Sequence, residues 1–161
     1  MPASARPTSG RARQALFDLL GDRVAGARVL DLYAGSGAVG LEAVSRGAAS
    51  AVLVEADASV LLRSLREWNV GLSEVRVVAG PVAGALERLV AAPDRFDVVF
   101  ADPPYSREVA VDLKDVSRVL AEGGVLVLQG DSGSLPPELP GLHASAERAY
   151  GRNVFHFLGV L

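Results

Sequence analysis

The sequence contains no cysteine among its 161 residues. This absence excludes a disulfide framework and a thiol nucleophile, and it argues against a zinc site of the usual kind. There is no apolar run of the roughly 18 residues that a membrane-spanning helix needs, and the first residues lack the apolar core of a secretion signal. We therefore expect one cytoplasmic domain over residues 1–161, with residues 1–7 as a flexible arm and with neither a metal site nor a membrane contact.

Lysine is almost absent as well. Lys114 is the single lysine, so arginine supplies nearly all of the positive charge and its presence alone does not mark a site. The net charge of −3 argues against a globally basic surface for nucleic acid, although local charge matters more than the total. The stretch before Asp18 is basic and free of acids, and it carries Arg6, Arg11 and Arg13. These arginines suit contacts with phosphate groups; a solvated basic helix start is the alternative interpretation.

Apolar spacing along the chain predicts strands that alternate with helices. The predicted strands are 27–32, 51–54, 75–79, 96–101 and 125–128, and the predicted helices run from residue 8 or 9 to 21, from the glycine turn to 46, and over 57–70, 81–92 and 108–121. Such alternation is typical of a parallel sheet with both faces covered. Residues 131–141 predict a surface connection, and residues 142–161 predict two strands around a turn at Gly151, which we expect to form an antiparallel hairpin at one edge.

A glycine turn follows the first of these strands. Gly35, Gly37 and Gly40 have the GxGxxG spacing, Asp31 ends the strand before them, and Glu55 ends the next strand 20 residues after Gly35. A strand, a glycine turn and a helix start in this order predict a nucleotide-like cofactor at the carboxyl end of the sheet. A turn that serves packing alone is the alternative interpretation, and Glu55 as a solvated strand-end acid is another.

The acid before the turn indicates which cofactor is bound. NAD and S-adenosylmethionine (SAM) both contain an adenosine ribose that Glu55 could hold, so Glu55 does not separate them. A dinucleotide needs amides that face a pyrophosphate, and the carboxylate of Asp31 would repel that group. SAM has no phosphate and carries an ammonium group, so Asp31 favours SAM.

The fourth strand ends in Asp102-Pro103-Pro104-Tyr105. Two consecutive prolines stiffen the turn and fix the directions of its carbonyl groups. Asp102 and the Pro103 carbonyl could accept the N–H hydrogens of a planar exocyclic amine and align its nitrogen with a methyl group. Tyr105 could stack on the ring that carries the amine. A proline-rich turn with an incidental aspartate is the alternative interpretation.

With both motifs placed, the chain resembles the class I SAM-dependent methyltransferases that methylate amines and carry a [D/N]PP[Y/F] motif. Within that class it is similar to the RsmD family, which methylates the guanine N2 amine in bacterial 16S ribosomal RNA. The matching segments are Arg6-Pro7-Thr8, Arg11-x-Arg13, the run from Asp31 to Gly37, Gly40-Leu41-Glu42-Ala43, Ser45-Arg46-Gly47-Ala48, Glu55, Asp102 to Tyr105, and Tyr150-Gly151. The resemblance implies a Rossmann-like fold with a seven-stranded, mostly parallel sheet of order 3-2-1-4-5-7-6 and an antiparallel last strand.

The resemblance also implies roles for residues around the two motifs. The implied catalytic residues are Asp102, Pro103, Pro104 and Tyr105. The implied SAM-binding residues are Asp31, Tyr33, Ala34, Gly35, Ser36, Gly37, Glu55, Ala56 and Val82. The implied RNA-binding residues are Arg6, Thr8, Arg11 and Arg13. Pro81 stands where the family tends to have a polar or acidic residue near the adenine amino group, so the adenine would depend on apolar packing and on the Val82 amide. The basic β-hairpin with which family members usually begin is not in this sequence.

The predicted function is therefore SAM-dependent methylation of a guanine N2 amine in 16S ribosomal RNA by a monomer, with an assembled or assembling 30S particle as the preferred substrate. An amino-methyltransferase for DNA adenine or protein glutamine is the nearest alternative, because the chemistry at Asp102 would be the same. A SAM-binding ribosome-assembly factor with little turnover is an alternative of another class, which the absence of the hairpin and the presence of Pro81 leave open.

Overall fold

A computed structural model of the chain describes residues 10–68, 73–104 and 108–160. The helices are α1 (Gly10–Leu20), α2 (Ala38–Ser45), α3 (Ser59–Glu67), α4 (Val82–Ala91) and α5 (Val109–Asp112), with short 3₁₀ turns at Gly21–Arg23 and Val116–Val119. The strands are β1 (Arg28–Leu32), β2 (Ser50–Glu55), β3 (Val75–Ala79), β4 (Phe96–Ala101), β5 (Leu120–Asp131), β6 (Leu142–Tyr150) and β7 (Asn153–Val160). The predicted alternation of strands and helices is confirmed through β4.

The described strands form one seven-stranded sheet of order β3-β2-β1-β4-β5-β7-β6. Strands β1 to β5 are parallel where they pair, and β7 runs antiparallel to both β5 and β6. This order confirms the Rossmann-like class I methyltransferase fold and the hairpin at one edge. Because β1, β2 and β4 are parallel neighbours, the residues that follow them all emerge at the same edge of the sheet, which we call the carboxyl edge.

Successive residues of a strand point to opposite faces of the sheet, so the strands contribute to two separate hydrophobic cores. On one face, α1, α2 and α3 pack over Val29, Leu53 and Phe100. On the other face, α4 and the 3₁₀ turn at Val116–Val119 pack over Leu30, Val54 and neighbouring strand residues. The sheet is thus covered on both sides, and the carboxyl edge is where its loops can form a site.

One predicted helix was wrong. The pattern over 108–121 predicts a single helix, but α5 ends at Asp112, a 3₁₀ turn follows at Val116–Val119, and β5 already begins at Leu120. The buried side chains of Leu113, Val116 and Val119 are spaced by three residues, which fits the three residues per turn of a 3₁₀ helix. The expected strand 125–128 is correspondingly longer at both ends.

Gly123 and Gly124, which follow the predicted helix in sequence, lie in an irregular stretch of β5. The register shifts here, from Phe96 opposite Leu120 to Val98 opposite Val125. Gly123 has φ 73°, and a Cβ at Gly124 would lie 2.8 Å from the Ala121 carbonyl oxygen. Glycine is therefore required by a β-bulge and not by a helix end.

Gly40 offers a test of how closely α2 packs on the sheet. A Cβ at Gly40 would collide with Cδ2 of Leu53, whose side chain is fully buried, and would lie 3.3 Å from Oδ2 of Asp31. We expect Gly40→Ala to lower the free energy of unfolding by about 1–3 kcal/mol through overpacking. The measurement is urea unfolding at neutral pH.

The matched control is Gly84→Ala inside α4, where a Cβ would meet nothing within 4 Å. This substitution should raise the free energy of unfolding by about 0.5–1 kcal/mol, because alanine is a better helix former than glycine. Equal stability of the two variants would show that α2 does not approach β2 as closely as described.

Candidate active site

Three carboxylates meet at the carboxyl edge of the sheet. Asp31 lies near the end of β1, Glu55 ends β2, and Asp102 follows the last residue of β4. Asp31 is 1% exposed, whereas Glu55 and Asp102 are half-buried. The sequence predicted that these acids belong to one site, and the structure places them on three adjacent strands.

Asp31 is held by the start of α2. Its Oδ2 accepts a hydrogen bond of 3.0 Å from the Gly40 N–H. Burial raises the pKa of Asp31 to about 7 against the opposing effect of that hydrogen bond, and the negative charges of Asp102 and Glu55 raise it further. The three carboxylates therefore interact electrostatically, and the site carries a surplus of negative charge around a buried group.

The glycine turn adopts a left-handed backbone at several positions. Gly35 has φ 60° and Gly37 has φ 86°, values that glycine adopts without strain. The Gly37 N–H donates to the Ala34 carbonyl at 2.8 Å, and the Ala34 N–H donates to the Val54 carbonyl at 2.9 Å. A turn bonded both to itself and to β2 has a defined shape.

Glu55 supports the same turn from the neighbouring strand. Its Oε1 accepts a hydrogen bond of 2.9 Å from the exposed Gly35 N–H, and its Oε2 accepts one of 3.2 Å from the Asp57 N–H. Each carboxylate oxygen has a second lone pair for another donor. Glu55 is therefore oriented by backbone amides and can still accept hydrogen bonds from a ligand.

Tyr33 connects this turn to α5. It has φ 57°, which is uncommon for a residue with a side chain. Its hydroxyl donates to Oδ2 of Asp112 at 3.1 Å, and burial, followed by the charge of Asp112, raises the pKa of Tyr33 above its ordinary value. Sequence reasoning did not identify Asp112, because no local pattern announces a partner 79 residues away.

The other predicted cofactor residues line the same edge. Ser36 is half-buried in the turn, and Ala56 is exposed directly after Glu55. Val82 is a buried first residue of α4, and Pro81 before it is the N-cap. The first N–H groups of a helix have no acceptor within the helix, so the Val82 amide is a candidate donor to a ligand.

The predicted catalytic motif continues β4 out of the sheet. Asp102, Pro103 and Pro104 are half-buried after the fully buried Ala101. Ala101 pairs with Leu32, the last residue of β1, so Asp102 and the two prolines leave the sheet beside the turn that follows β1. Tyr105 lies outside the described residues.

The predicted RNA-binding arginines have different surroundings. Arg11 is exposed in the first turn of α1. Arg13 instead donates from Nε to Oε1 of Glu42 at 2.7 Å, and Arg46 donates to the other oxygen of the same carboxylate at 2.7 Å. Arg13 therefore ties α1 to α2. Arg6 and Thr8 lie outside the described residues.

The described residues also bear on two other classes of protein. Across 10–68, 73–104 and 108–160, no helix is long and apolar enough to cross a membrane. Within the same ranges, no group of three or more His, Cys, Asp and Glu side chains has a geometry that could hold a metal ion.

Comparison with known proteins identifies relatives along almost the whole chain. The family model described as "Conserved hypothetical protein 95" matches residues 1–159. The chain is 35% identical over 141 residues to Ribosomal RNA small subunit methyltransferase D of Escherichia coli K12. This alignment covers 84% of the chain and 69% of that protein. A solved structure of a hypothetical protein from Thermus thermophilus superimposes with a TM-score of 0.81 at 39% identity, covering 98% of this chain and 90% of that one.

A solved structure of TrmN, also from Thermus thermophilus, superimposes with a TM-score of 0.74 at 23% identity. It covers 99% of this chain and 51% of that one. This likeness concerns the fold alone.

The raised pKa of Asp31 predicts how stability depends on pH. Between pH 4 and 7 the unfolded carboxyl group is ionised while the folded one keeps its proton, so the contribution of Asp31 to stability falls as pH rises and levels off above about 7. Asp31→Asn does not titrate and keeps an oxygen that can accept from Gly40. Relative to wild type, we expect it to become more stable by roughly 3–5 kcal/mol from pH 4 to pH 8.

Urea unfolding of both proteins at four pH values measures this difference. Asp94→Asn, at an exposed acid, is the control and should show a constant difference from wild type. A constant difference for Asp31→Asn as well would show that Asp31 is already ionised in the folded protein at low pH.

Proposed function

This chain belongs to the RsmD family, whose family model spans residues 1–159, and from that premise we propose that it methylates the exocyclic N2 amine of a guanine in 16S ribosomal RNA. The chain is a SAM-dependent methyltransferase that acts on small-subunit ribosomal RNA, as its Escherichia coli relative is named. The choice of guanine N2 is the further step. The observation that supports it is the position of Asp102-Pro103-Pro104 beside the turn that follows β1, which results from the pairing of Ala101 with Leu32.

The chemistry of the site fits SAM. The ammonium and sulfonium groups of SAM are cationic, and three carboxylates lie at the ends of the three adjacent strands next to the glycine turn. The same charges would oppose a pyrophosphate. Asp31 is too buried to contact a ligand directly, so we assign it an electrostatic role: once it ionises, above about pH 7, its charge acts through the low-dielectric interior and favours a cation on the turn.

We assign the remaining cofactor residues by their position around the turn. The residues Tyr33, Ala34, Gly35, Ser36 and Gly37 form the surface for the methionine part of SAM. Glu55, already oriented by two amides, accepts hydrogen bonds from the ribose hydroxyls, and Ala56 lies beside it. The Val82 amide at the start of α4 faces the adenine.

SAM supplies a methyl group on a positively charged sulfur. The contribution of the chain is to hold the amine, whose lone pair is delocalised into the guanine ring and is therefore a poor nucleophile. The Asp102 carboxylate and the Pro103 carbonyl accept the two N–H hydrogens, which turns the nitrogen lone pair toward the methyl group. The two prolines restrict the turn, and Tyr105 stacks on the base.

We further propose that the enzyme is a cytoplasmic monomer and that its substrate is an assembled or assembling 30S particle. The experiment is transfer of radioactive methyl groups from SAM to 30S particles from cells that lack the corresponding methyltransferase. Digestion of the RNA to nucleosides should then yield labelled N2-methylguanosine. Label at another nucleoside would contradict the assigned amine, and no label in RNA would contradict the proposed reaction.

The role of Asp102 predicts a loss of turnover without a loss of cofactor. Asp102→Ala should lower kcat at least a hundredfold, because the interaction acts as the transition state forms. The affinity for SAM should stay within a few-fold. Single-turnover methyl transfer and isothermal titration measure the two quantities.

Asp97→Asn is the control for this prediction, since Asp97 lies at the other end of β4 and accepts the Arg28 N–H. It should leave kcat unchanged. A kcat for Asp102→Ala within a few-fold of wild type would remove Asp102 from the mechanism.

The role of Glu55 predicts a loss of SAM affinity, in contrast to the loss of kcat expected for Asp102→Ala. Glu55→Ala should weaken SAM binding by about 1–3 kcal/mol, because ribose hydroxyls and the Gly35 amide lose their acceptor. Titration calorimetry with SAM and with its demethylated product measures the loss, and the exposed Glu67→Ala should bind as wild type does. An unchanged affinity in Glu55→Ala would place the ribose elsewhere.

A further inference from the structure

The tip of the β6–β7 hairpin lies at the carboxyl edge, like the proposed active site. Tyr150 at the end of β6 pairs with Asn153, which in turn pairs with Asp131 at the end of β5. Ala101, directly before Asp102, pairs with Leu128, three residues before Asp131. With strands about 4.8 Å apart, Tyr150 is three strands, or roughly 14 Å, to the side of β4. It is therefore too far away to touch the methylated base but close enough for its neighbours.

An open groove separates this tip from α1. It has a volume of about 360 Å³ and is lined by Gly10, Arg11, Gln14, Ala15, Asp18 and Tyr150. Tyr150 is 41% exposed, so its ring is accessible from the groove. One wall of the groove is thus an aromatic ring, and Arg11 stands at the opposite wall.

The positive charge of the hairpin faces the same side as α1. Arg148 pairs with Phe155, which is buried in the core beneath α1, so Arg148 and Tyr150 both lie on the α1 side of the sheet. Glu147 lies on the opposite side, with Oε2 at 3.6 Å from Nδ1 of His156. Charge on the groove side therefore comes mainly from arginine.

Acids offset part of this charge. Arg152 adds a third arginine in the turn between β6 and β7. Among the described residues on this side, the acids are Asp18, whose Oδ1 accepts from the Gln14 amide at 2.9 Å, and Asp131 at the end of β5. The groove lining itself holds Arg11 and Asp18, and the neighbouring Arg148 and Arg152 against Asp131 leave a local excess of one positive charge in a protein whose net charge is −3.

We propose that the groove between α1 and the hairpin tip holds a nucleotide of the ribosomal RNA that flanks the target guanine, with its base stacked on Tyr150 and its phosphate on Arg11. This inference rests on the proposed function and adds a second point of attachment to it. An aromatic ring beside arginine is a platform for an unpaired base, because stacking needs no particular base and arginine neutralises the backbone. A contact with a ribosomal protein is the competing interpretation that the experiment decides.

The experiment compares substitutions of Tyr150 that distinguish the effect of the aromatic ring from the effect of side-chain volume. Tyr150→Ala and Tyr150→Leu should raise the KM for 30S particles about tenfold or more, the range measured for loss of one stacked base, whereas Tyr150→Phe should stay near wild type. The values of kcat and of the SAM affinity should change little. Trp68→Ala is the matched control, because Trp68 is 52% exposed at the end of α3 and lines a different groove.

Arg11 provides an independent readout. Arg11→Ala should reduce the slope of log(kcat/KM) against log salt by about one, the effect of one lost phosphate contact, and Arg11→Lys should restore it. Tyr150→Ala should leave that slope unchanged, since stacking neutralises no phosphate. These two signatures distinguish a nucleotide from a protein contact.

Several results would overturn the inference: an unchanged KM in Tyr150→Ala, a KM in Tyr150→Leu equal to that of wild type, or an equal rise in Trp68→Ala. Co-sedimentation of the same variants with 30S particles in the absence of SAM measures binding to the particle without turnover. If wild type binds particles but transfers no methyl group, the proposed reaction fails while a loss of binding in Tyr150→Ala still supports the groove. If methyl transfer occurs and Tyr150→Ala binds and reacts normally, the proposed nucleotide site in the groove is wrong while the proposed reaction stands.

Discussion

The hydrogen bond between the buried Asp31 carboxylate and the Gly40 N–H is the constraint on which the site depends. It joins β1 to α2 across the glycine turn, so the turn is anchored at both ends. Burial and two neighbouring carboxylates oppose the charge of Asp31, whereas the amide and the positive end of α2 favour it. This balance requires a glycine at position 40, because a side chain there would collide with Leu53 and reach the Asp31 oxygen.

Local spacing was sufficient to predict most of the helices and strands, whereas the order of the strands was predicted from the family resemblance. The strand 75–79 has the predicted bounds, and the helix predicted from Pro81 begins one residue later at Val82 with Pro81 as its N-cap, because each depends on residues adjacent in sequence. The helix predicted over 108–121 was wrong because the pairing of Leu120 with Phe96, which begins β5 there, is a long-range interaction. The bond between Tyr33 and Asp112 could not be predicted for the same reason.

Arginine in this chain has structural as well as surface roles. Arg13 and Arg46 share the Glu42 carboxylate, and the Arg46 guanidinium lies 4.8 Å from the centre of the Phe17 ring. Position in sequence gave Arg11 and Arg13 the same predicted role, yet they face different surroundings. When arginine supplies nearly all the positive charge, only the three-dimensional arrangement separates arginines that join helices from arginines that remain open to a partner.

The left-handed backbone of Tyr33 affects how a ligand would meet the turn. Such a conformation costs a residue with a side chain about 1–3 kcal/mol and persists only where surrounding structure enforces it. Here a hydrogen bond from the hydroxyl to Asp112 and the bonded turn that follows supply that enforcement. The unfavourable conformation is therefore adopted during folding, before any ligand arrives. Preorganisation of this kind lowers the entropy lost on association, so cofactor and product can exchange on a surface that need not be rebuilt at each turnover.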